Sequence, residues 1–209
     1  MDDKVTTVLD AYHELIREQE ENRGQTPAAE RHTSLDHRLL AVGPQTGQLI
    51  NILARSFKTP NILELGTSYG YSGIWLADAA RASGGRVTTM ELEDYKSAFA
   101  REMAGKAGLS DYIDFKVGDA VKMIGDLAVG IDFVLLDLWK DMYVPCLEAF
   151  YPKLNPGAII VADNILTHRA DVMGYVRAIR AKPDISSVML PVGQGIEISR
   201  YNEEGMMAS

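Results

Sequence analysis

Four side chains in the second half of the chain have the types and spacing for chemistry: Asp137, Lys140, Asp163 and Asn164. Asp137 closes the apolar run Ile131-Asp-Phe-Val-Leu-Leu136, and Asp163-Asn164 closes the run Ala158–Ala162. Two carboxylates and an amide oxygen at neighbouring strand ends make a hard, all-oxygen donor set suited to Mg²⁺, with positions left for water or substrate. Lys140, three residues after Asp137, points into the same rim and can act as a base there. The competing readings are helix caps for the two aspartates, a turn role for Asn164 and a salt bridge from Lys140 to Asp163. Trp139 is either core or a flat wall beneath a planar ligand.

Those residues need a sheet to bring them together. Asn61-Ile-Leu-Glu-Leu65 is a short apolar run that fits a buried parallel strand. Gly66-Thr-Ser-Tyr-Gly70 is a tight turn, with Thr67, Ser68 and Tyr69 between its glycines. Ile74, Trp75 and Leu76, set among alanines, then read as a buried helix. Strand, glycine turn and helix bring a nucleotide-like ligand to the carboxyl end of a central strand. The dinucleotide spacing GxGxxG is absent, because position 68 is serine. Glu64, two residues before the first glycine, suits a cationic ligand better than a pyrophosphate. The turn therefore points to S-adenosylmethionine; the other reading is a purely structural βα turn. A methyl sulfonium needs no covalent help from the protein, only a deprotonated, aligned acceptor hydroxyl. A metal on two adjacent oxygens lowers the pKa of that hydroxyl, so the favoured acceptor is a vicinal diol on an aromatic ring.

The remaining elements follow from periodicity. Val5, Val8, Leu9, Tyr12, Leu15 and Ile16 predict an amphipathic helix over 3–23, with Glu14, Glu18, Glu20 and Glu21 on the solvated face. The pattern leaves open whether it packs on the domain, covers the site or meets a partner subunit. A helix over 48–57 follows, and its amino end with the Val42-Gly43 loop either lies over the ligand or is a plain connection. A second strand over 86–90 ends at Glu91, a natural acceptor for two ribose hydroxyls. A third over 112–117 leads to Asp119, which either caps the helix over 120–127 or accepts from an adenine amino group. Asp141 is expected to cap a helix running to about Leu154, with a turn at 155–157 and a strand over 158–162. After a helix over 167–181, the segments 185–191 and 195–201 form an antiparallel hairpin on a mainly parallel sheet.

The chain has 209 residues, 46% hydrophobic and 24% charged, which suits one domain with a sizeable core. A formal charge of −8 offers nothing to a polyanion, so nucleic acid is not an expected partner. One cysteine, Cys146, excludes a disulfide framework. There is no signal-peptide pattern and no apolar stretch of spanning length, so a cytoplasmic, non-membrane protein is expected.

The motifs VGPQTGQ, ILELGTSYGYS, TTMELE, LLDLWKDMY and ADN resemble those of the cation-dependent O-methyltransferases of the catechol and caffeoyl-CoA type, over about Val42–Tyr201. The resemblance implies a Rossmann-like S-adenosylmethionine-dependent methyltransferase fold, α/β, with a seven-stranded mainly parallel sheet and a C-terminal antiparallel hairpin strand. Residues 1–209 would form one domain, with 1–57 a helical extension or cap and 58–201 the α/β core. Val42, Glu64, Gly66, Thr67, Ser68, Tyr69, Ser72, Glu91, Asp119, Asp137 and Trp139 would contact the cofactor. Asp137, Asp163 and Asn164 would hold Mg²⁺ or another divalent cation, Lys140 would be the general base, and the protein would be a homodimer. Two departures concern the acceptor. Val188 falls near the glutamate that holds the second hydroxyl in the catechol enzyme, and Arg38 and Leu40 replace its gatekeepers. Arg31, His32, Arg38 and His168 are the candidates for contacting an acidic acceptor. The rival functions are a metal-independent small-molecule methyltransferase and a nicotinamide-dependent oxidoreductase.

Overall fold

The computed structural model describes residues 1–25, 38–127 and 130–202. Seven strands form one sheet: β1 (Asn61–Leu65), β2 (Arg86–Glu91), β3 (Ile113–Val117), β4 (Ile131–Leu136), β5 (Leu154–Ala162), β6 (Ile185–Leu190) and β7 (Ile196–Tyr201). Their order is β3-β2-β1-β4-β5-β7-β6. All pairings are parallel except those of β7, which runs antiparallel to both β5 and β6. The hairpin thus puts its last strand inside the sheet and leaves β6 at the edge.

Period-two alternation sends side chains from each central strand to two cores. Ile62, Val87, Phe133, Leu135 and Val161 pack against α1 (Asp3–Gln25), α2 (Pro44–Arg55), α3 (Tyr71–Ser83) and α4 (Asp94–Lys106). Leu63, Leu65, Met90, Val134, Leu136 and Ile160 face α5 (Ala120–Gly125), α6 (Tyr143–Phe150) and α7 (Arg169–Arg180). Helix α1 packs on the sheet-covering helices, burying Val5, Val8, Leu9 and Tyr12 and leaving Glu14, Glu18, Glu20 and Glu21 exposed.

Three expected boundaries are corrected. Helix α2 starts at Pro44, not at Gln48, because a proline pre-sets the first helical φ and Gly43, at φ 82°, turns the chain into it. Asp141 caps nothing: it sits in a 3₁₀ turn, Lys140–Met142, and α6 begins at Tyr143 without a side-chain cap. The expected turn at 155–157 lies inside the nine-residue β5, where the β4–β5 register jumps from Ile131–Leu154 to Phe133–Ile159. Gly157 at φ 84° absorbs the extra residues as a bulge.

Register aligns the strand tips. Leu65 pairs with Met90 on one side and Leu136 on the other, and Leu136 pairs with Ala162. The residue after Leu65, Met90, Leu136 and Ala162 is Gly66, Glu91, Asp137 and Asp163 respectively. At about 4.8 Å per strand, that row spans roughly 14 Å of one rim. It crosses the β1–β4 junction, where the strand order reverses and α/β sheets open a crevice.

Candidate active site

The β1–β2 half of the rim is built from backbone. The amides of Gly66 and Thr67 both donate to the Met90 carbonyl, at 3.0 and 3.1 Å, and Gly70 N–H closes the turn on the Thr67 carbonyl at 2.8 Å. Gly66 has φ 101°, and a Cβ there would collide with the Asp137 carbonyl oxygen. The turn can approach the β4 tip only because position 66 lacks a side chain. Ser68, also left-handed at φ 46°, donates its amide to Glu91 Oε2 at 2.7 Å. Glu91 Oε1 accepts from the amides of Leu92 and Glu93.

Glu64 lies beneath this turn, fully buried, on the same face as α3. Its register partner Thr89 donates to Glu64 Oε2 at 2.6 Å, so the Thr67 hydroxyl is the donor in its 2.5 Å contact with Thr89. Ser72, on the first turn of α3, also hydrogen-bonds Glu64, but Oε1 has no partner. Burial pushes the Glu64 carboxyl up to about 7; the hydrogen bonds from Ser72 and Thr89 oppose this, and the charges of Asp137 and Glu91 add to it. Asp119 caps α5, its Oδ1 accepting from Lys122 N at 2.9 Å. Val42 is buried, and its carbonyl lies 3.3 Å from where a Cβ on Gly193 would stand, so the α2 entry meets the β6–β7 turn.

The β4–β5 half is built from side chains. Lys140 Nζ donates to Asp137 Oδ1 at 3.1 Å, to Tyr143 Oη at 2.8 Å and to Asn164 Oδ1. All three ammonium protons are thereby used. The salt bridge that Lys140 makes is to Asp137, not the one to Asp163 of the competing reading. Asn164 sits at φ 63° and donates Nδ2 to Gln194 Oε1 at 3.0 Å, which ties the β5 tip to the β6–β7 turn. Asp163 is fully buried, and neither of its carboxylate oxygens has a hydrogen-bond partner. Burial, reinforced by the charge of Asp137, holds its carboxyl well above the usual range; burial raises Asp137 as well, with Lys140 opposing.

Trp139 is 58% exposed, so the core reading of this tryptophan is excluded. Among the other candidates, His168 is exposed and Arg38 half-buried, while Arg31 and His32 lie outside the described residues. Tyr143 and Gln194 were not expected in the site. Tyr143 follows Lys140 by the same three-residue step that separates Lys140 from Asp137, a spacing that helical geometry makes meaningful. Nothing local marks Gln194, which reaches Asn164 through the hairpin turn.

Among the described residues no three His, Cys, Asp or Glu side chains form a metal-ligating group. The polar cluster is two carboxylates and an amide, with the Lys140 ammonium between Asp137 and Asn164. With Lys140 deprotonated, the arrangement can receive a hydroxyl, take its proton and hold the resulting oxyanion beside a ligand seated on the glycine turn.

A family model described as O-methyltransferase matches residues 26–202. A catechol O-methyltransferase of Niastella koreensis is 33% identical over 131 residues, 61% of this chain and 59% of that protein. One of Mycobacterium tuberculosis is 34% identical over 128 residues, 61% of this chain and 58% of that protein. The chain therefore spans less than two thirds of the length of these curated relatives. The solved O-methyltransferase of Bacillus cereus in complex with SAH is 25% identical, with a TM-score of 0.73 over 97% of this chain and 92% of that one.

Proposed function

This chain belongs to the O-methyltransferase family, and on that premise we propose that it transfers the methyl group of S-adenosylmethionine to a hydroxyl of a small aromatic molecule. The observation that carries the reading is the join at Gly66 and Asp137. There a ligand-sized glycine turn and a lysine–carboxylate–amide cluster share one stretch of rim. The donor's sulfonium supplies an activated methyl group that needs no covalent intermediate.

The residues present fit such a donor. Glu91 stands at the end of β2 with a carboxylate already oriented by three amides, where it can accept from ribose hydroxyls. The buried Glu64, with Oε1 unpartnered, favours a cationic group above it. Trp139 offers an exposed flat face at the junction of the two halves. Lys140 takes the acceptor proton once it has given up one of the three protons it donates here, and Asp137, Tyr143 and Asn164 place its Nζ in the rim. Orientation of the acceptor oxygen toward the methyl carbon supplies most of the remaining barrier reduction. Helices α1 and α2 serve as a helical extension of the α/β core of 58–201, into whose core their buried residues pack.

Two versions of the proton-removal step rest on different atoms. In the metal-independent version, Lys140 alone organises Asp137 and Asn164, as its three hydrogen bonds favour. In the second, Asp137, Asp163 and Asn164 hold a divalent cation, which would acidify the acceptor hydroxyl when bound. The observation favouring it is Asp163: a buried carboxylate with both oxygens unpartnered is costly unless a positive group answers it. The aromatic acceptor differs from one clamped by a glutamate before the last turn, because the exposed Val188 stands near that place.

The test is methyl transfer from S-adenosylmethionine to a panel of simple catechols, caffeoyl esters and flavonoids, with EDTA and with added Mg²⁺. A methylated oxygen is expected. Loss of turnover in EDTA, restored by Mg²⁺ and absent in Asp163→Asn, selects the cation version; turnover indifferent to EDTA selects the other. Saturable binding of NADH without binding of S-adenosylhomocysteine would contradict both.

A further inference from the structure

Helix α1 precedes the strands and packs into the core on one face of the sheet, and one of its side chains reaches the glycine turn. Tyr12 is fully buried, and its hydroxyl donates to the Tyr69 carbonyl at 2.6 Å. That carbonyl has no place in a regular ladder. The first bond of α3 runs from Ile74 N–H to the Gly70 carbonyl, so Tyr69 falls one residue short of it. The backbone around it is costly to hold at Ser68, a non-glycine residue at φ 46°, while Gly70 turns the chain at φ 89°. A Cβ on Gly70 would stand 2.7 Å from Ala100 Cβ and 3.2 Å from Tyr12 Oη, so the glycine is what lets α1 and α4 close on the turn.

Around this hydrogen bond the tyrosine is locked. Its ring stacks edge-on against Tyr71 and Phe99, with centroids 5.6 and 6.3 Å away. Phe99 in turn meets Tyr69 edge-on at 5.5 Å. The next residue of α1 makes a second tie, His13 Nε2 to Tyr71 Oη at 2.9 Å. Two consecutive residues of one helix therefore hold the two residues that flank Gly70. Burial raises the Tyr12 phenol above its ordinary value, so it stays protonated and remains a donor.

We propose that Tyr12 is a positioning residue for the methyl-donor site, through which α1 keeps the turn 66–70 in the shape that binds the donor. The inference rests on the reading of that turn as the donor site. Removing the hydroxyl takes away the bond that Tyr12 makes to the Tyr69 carbonyl and lets the left-handed turn relax, a cost that falls on donor binding more than on the acceptor side.

The experiment is calorimetric titration of S-adenosylhomocysteine into wild type, Tyr12→Phe and Val8→Ala, with melting temperatures of the ligand-free proteins. Val8→Ala loosens α1 packing while keeping the Tyr12 hydroxyl. Tyr12→Phe is expected to bind S-adenosylhomocysteine roughly three- to tenfold more weakly, the factor one lost hydrogen bond gives. The KM for S-adenosylmethionine should rise in step, while kcat at saturating donor and the KM for the acceptor stay unchanged. Val8→Ala should melt earlier yet bind S-adenosylhomocysteine as wild type does. Unchanged affinity in Tyr12→Phe, or an equal loss in Val8→Ala, overturns the proposal while leaving the donor reading intact. A wild type that binds no S-adenosylhomocysteine overturns the donor reading and the brace with it.

Discussion

The two halves of the rim are made of different material. Around β1 and β2 the shape is set by backbone: left-handed Gly66, Ser68 and Gly70, amides returned to Met90 and Glu91, and a hydroxyl chain from Thr67 through Thr89 to Glu64. Around β4 and β5 it is set by charged side chains, with Lys140 shared among three oxygens and Asp163 left with none. A backbone-built cradle suits a ligand whose size and outline do not vary. A charge-built cluster suits the step in which a proton moves and an oxyanion forms, because such groups stabilise charge that appears only in the transition state. On the proposed function, the difference assigns binding and chemistry to separate stretches of one row of strand tips, with Gly66 and Asp137 as the seam.

Breaking the seam should have the largest effect. Gly66→Ala meets both a positive φ and the Asp137 carbonyl, and a loss of about 4 kcal/mol in unfolding free energy is expected from strain and overlap together. Urea denaturation reads it, and a loss below about 1 kcal/mol would mean that the halves are not joined there. Beneath the donor half, Glu64 makes stability depend on pH. Its carboxyl stands near 7 when folded against an ordinary 4.5, so between those values the folded chain binds more protons than the unfolded one. Stability is therefore full below 4.5, falls as pH rises through the window, and is lower by about 3 kcal/mol above 7. Thermal melts of the ligand-free protein should show that decline, and Glu64→Gln should remove Glu64's share of it while leaving the share that Asp163 and Asp137 add in the same direction. The smallest effect belongs to Asp119: removing its cap on α5 in Asp119→Ala should cost about 1 kcal/mol. Turnover at saturating donor should be unchanged, since Asp119 lies outside the proton-moving cluster.

Much of this was legible in the sequence for one reason. Central strands buried on both faces must be apolar, so the residue that ends each run is conspicuous, and Gly66, Glu91, Asp137 and Asp163 each end one. The mainly parallel sheet with an antiparallel hairpin followed from the same runs. What stayed hidden depends on contacts between distant segments. The Thr89–Glu64 bond follows from β1–β2 register, which no local pattern states. Gln194 meets Asn164 across 30 residues, and Tyr12 meets Tyr69 across 57. Pro156-Gly157 carried the wrong message: these turn formers sit within β5 because a bulge also needs a positive φ.

The segregation of binding from chemistry is tested most directly by Lys140→Met, assayed for methyl transfer and for S-adenosylhomocysteine affinity in the same preparation. Turnover should fall by roughly 10²–10⁴-fold, the range for a lost general base, with affinity for S-adenosylhomocysteine left within about twofold of wild type. Turnover close to wild type, or affinity that falls in parallel with turnover, would contradict the division of the rim into a donor half and a proton-moving half.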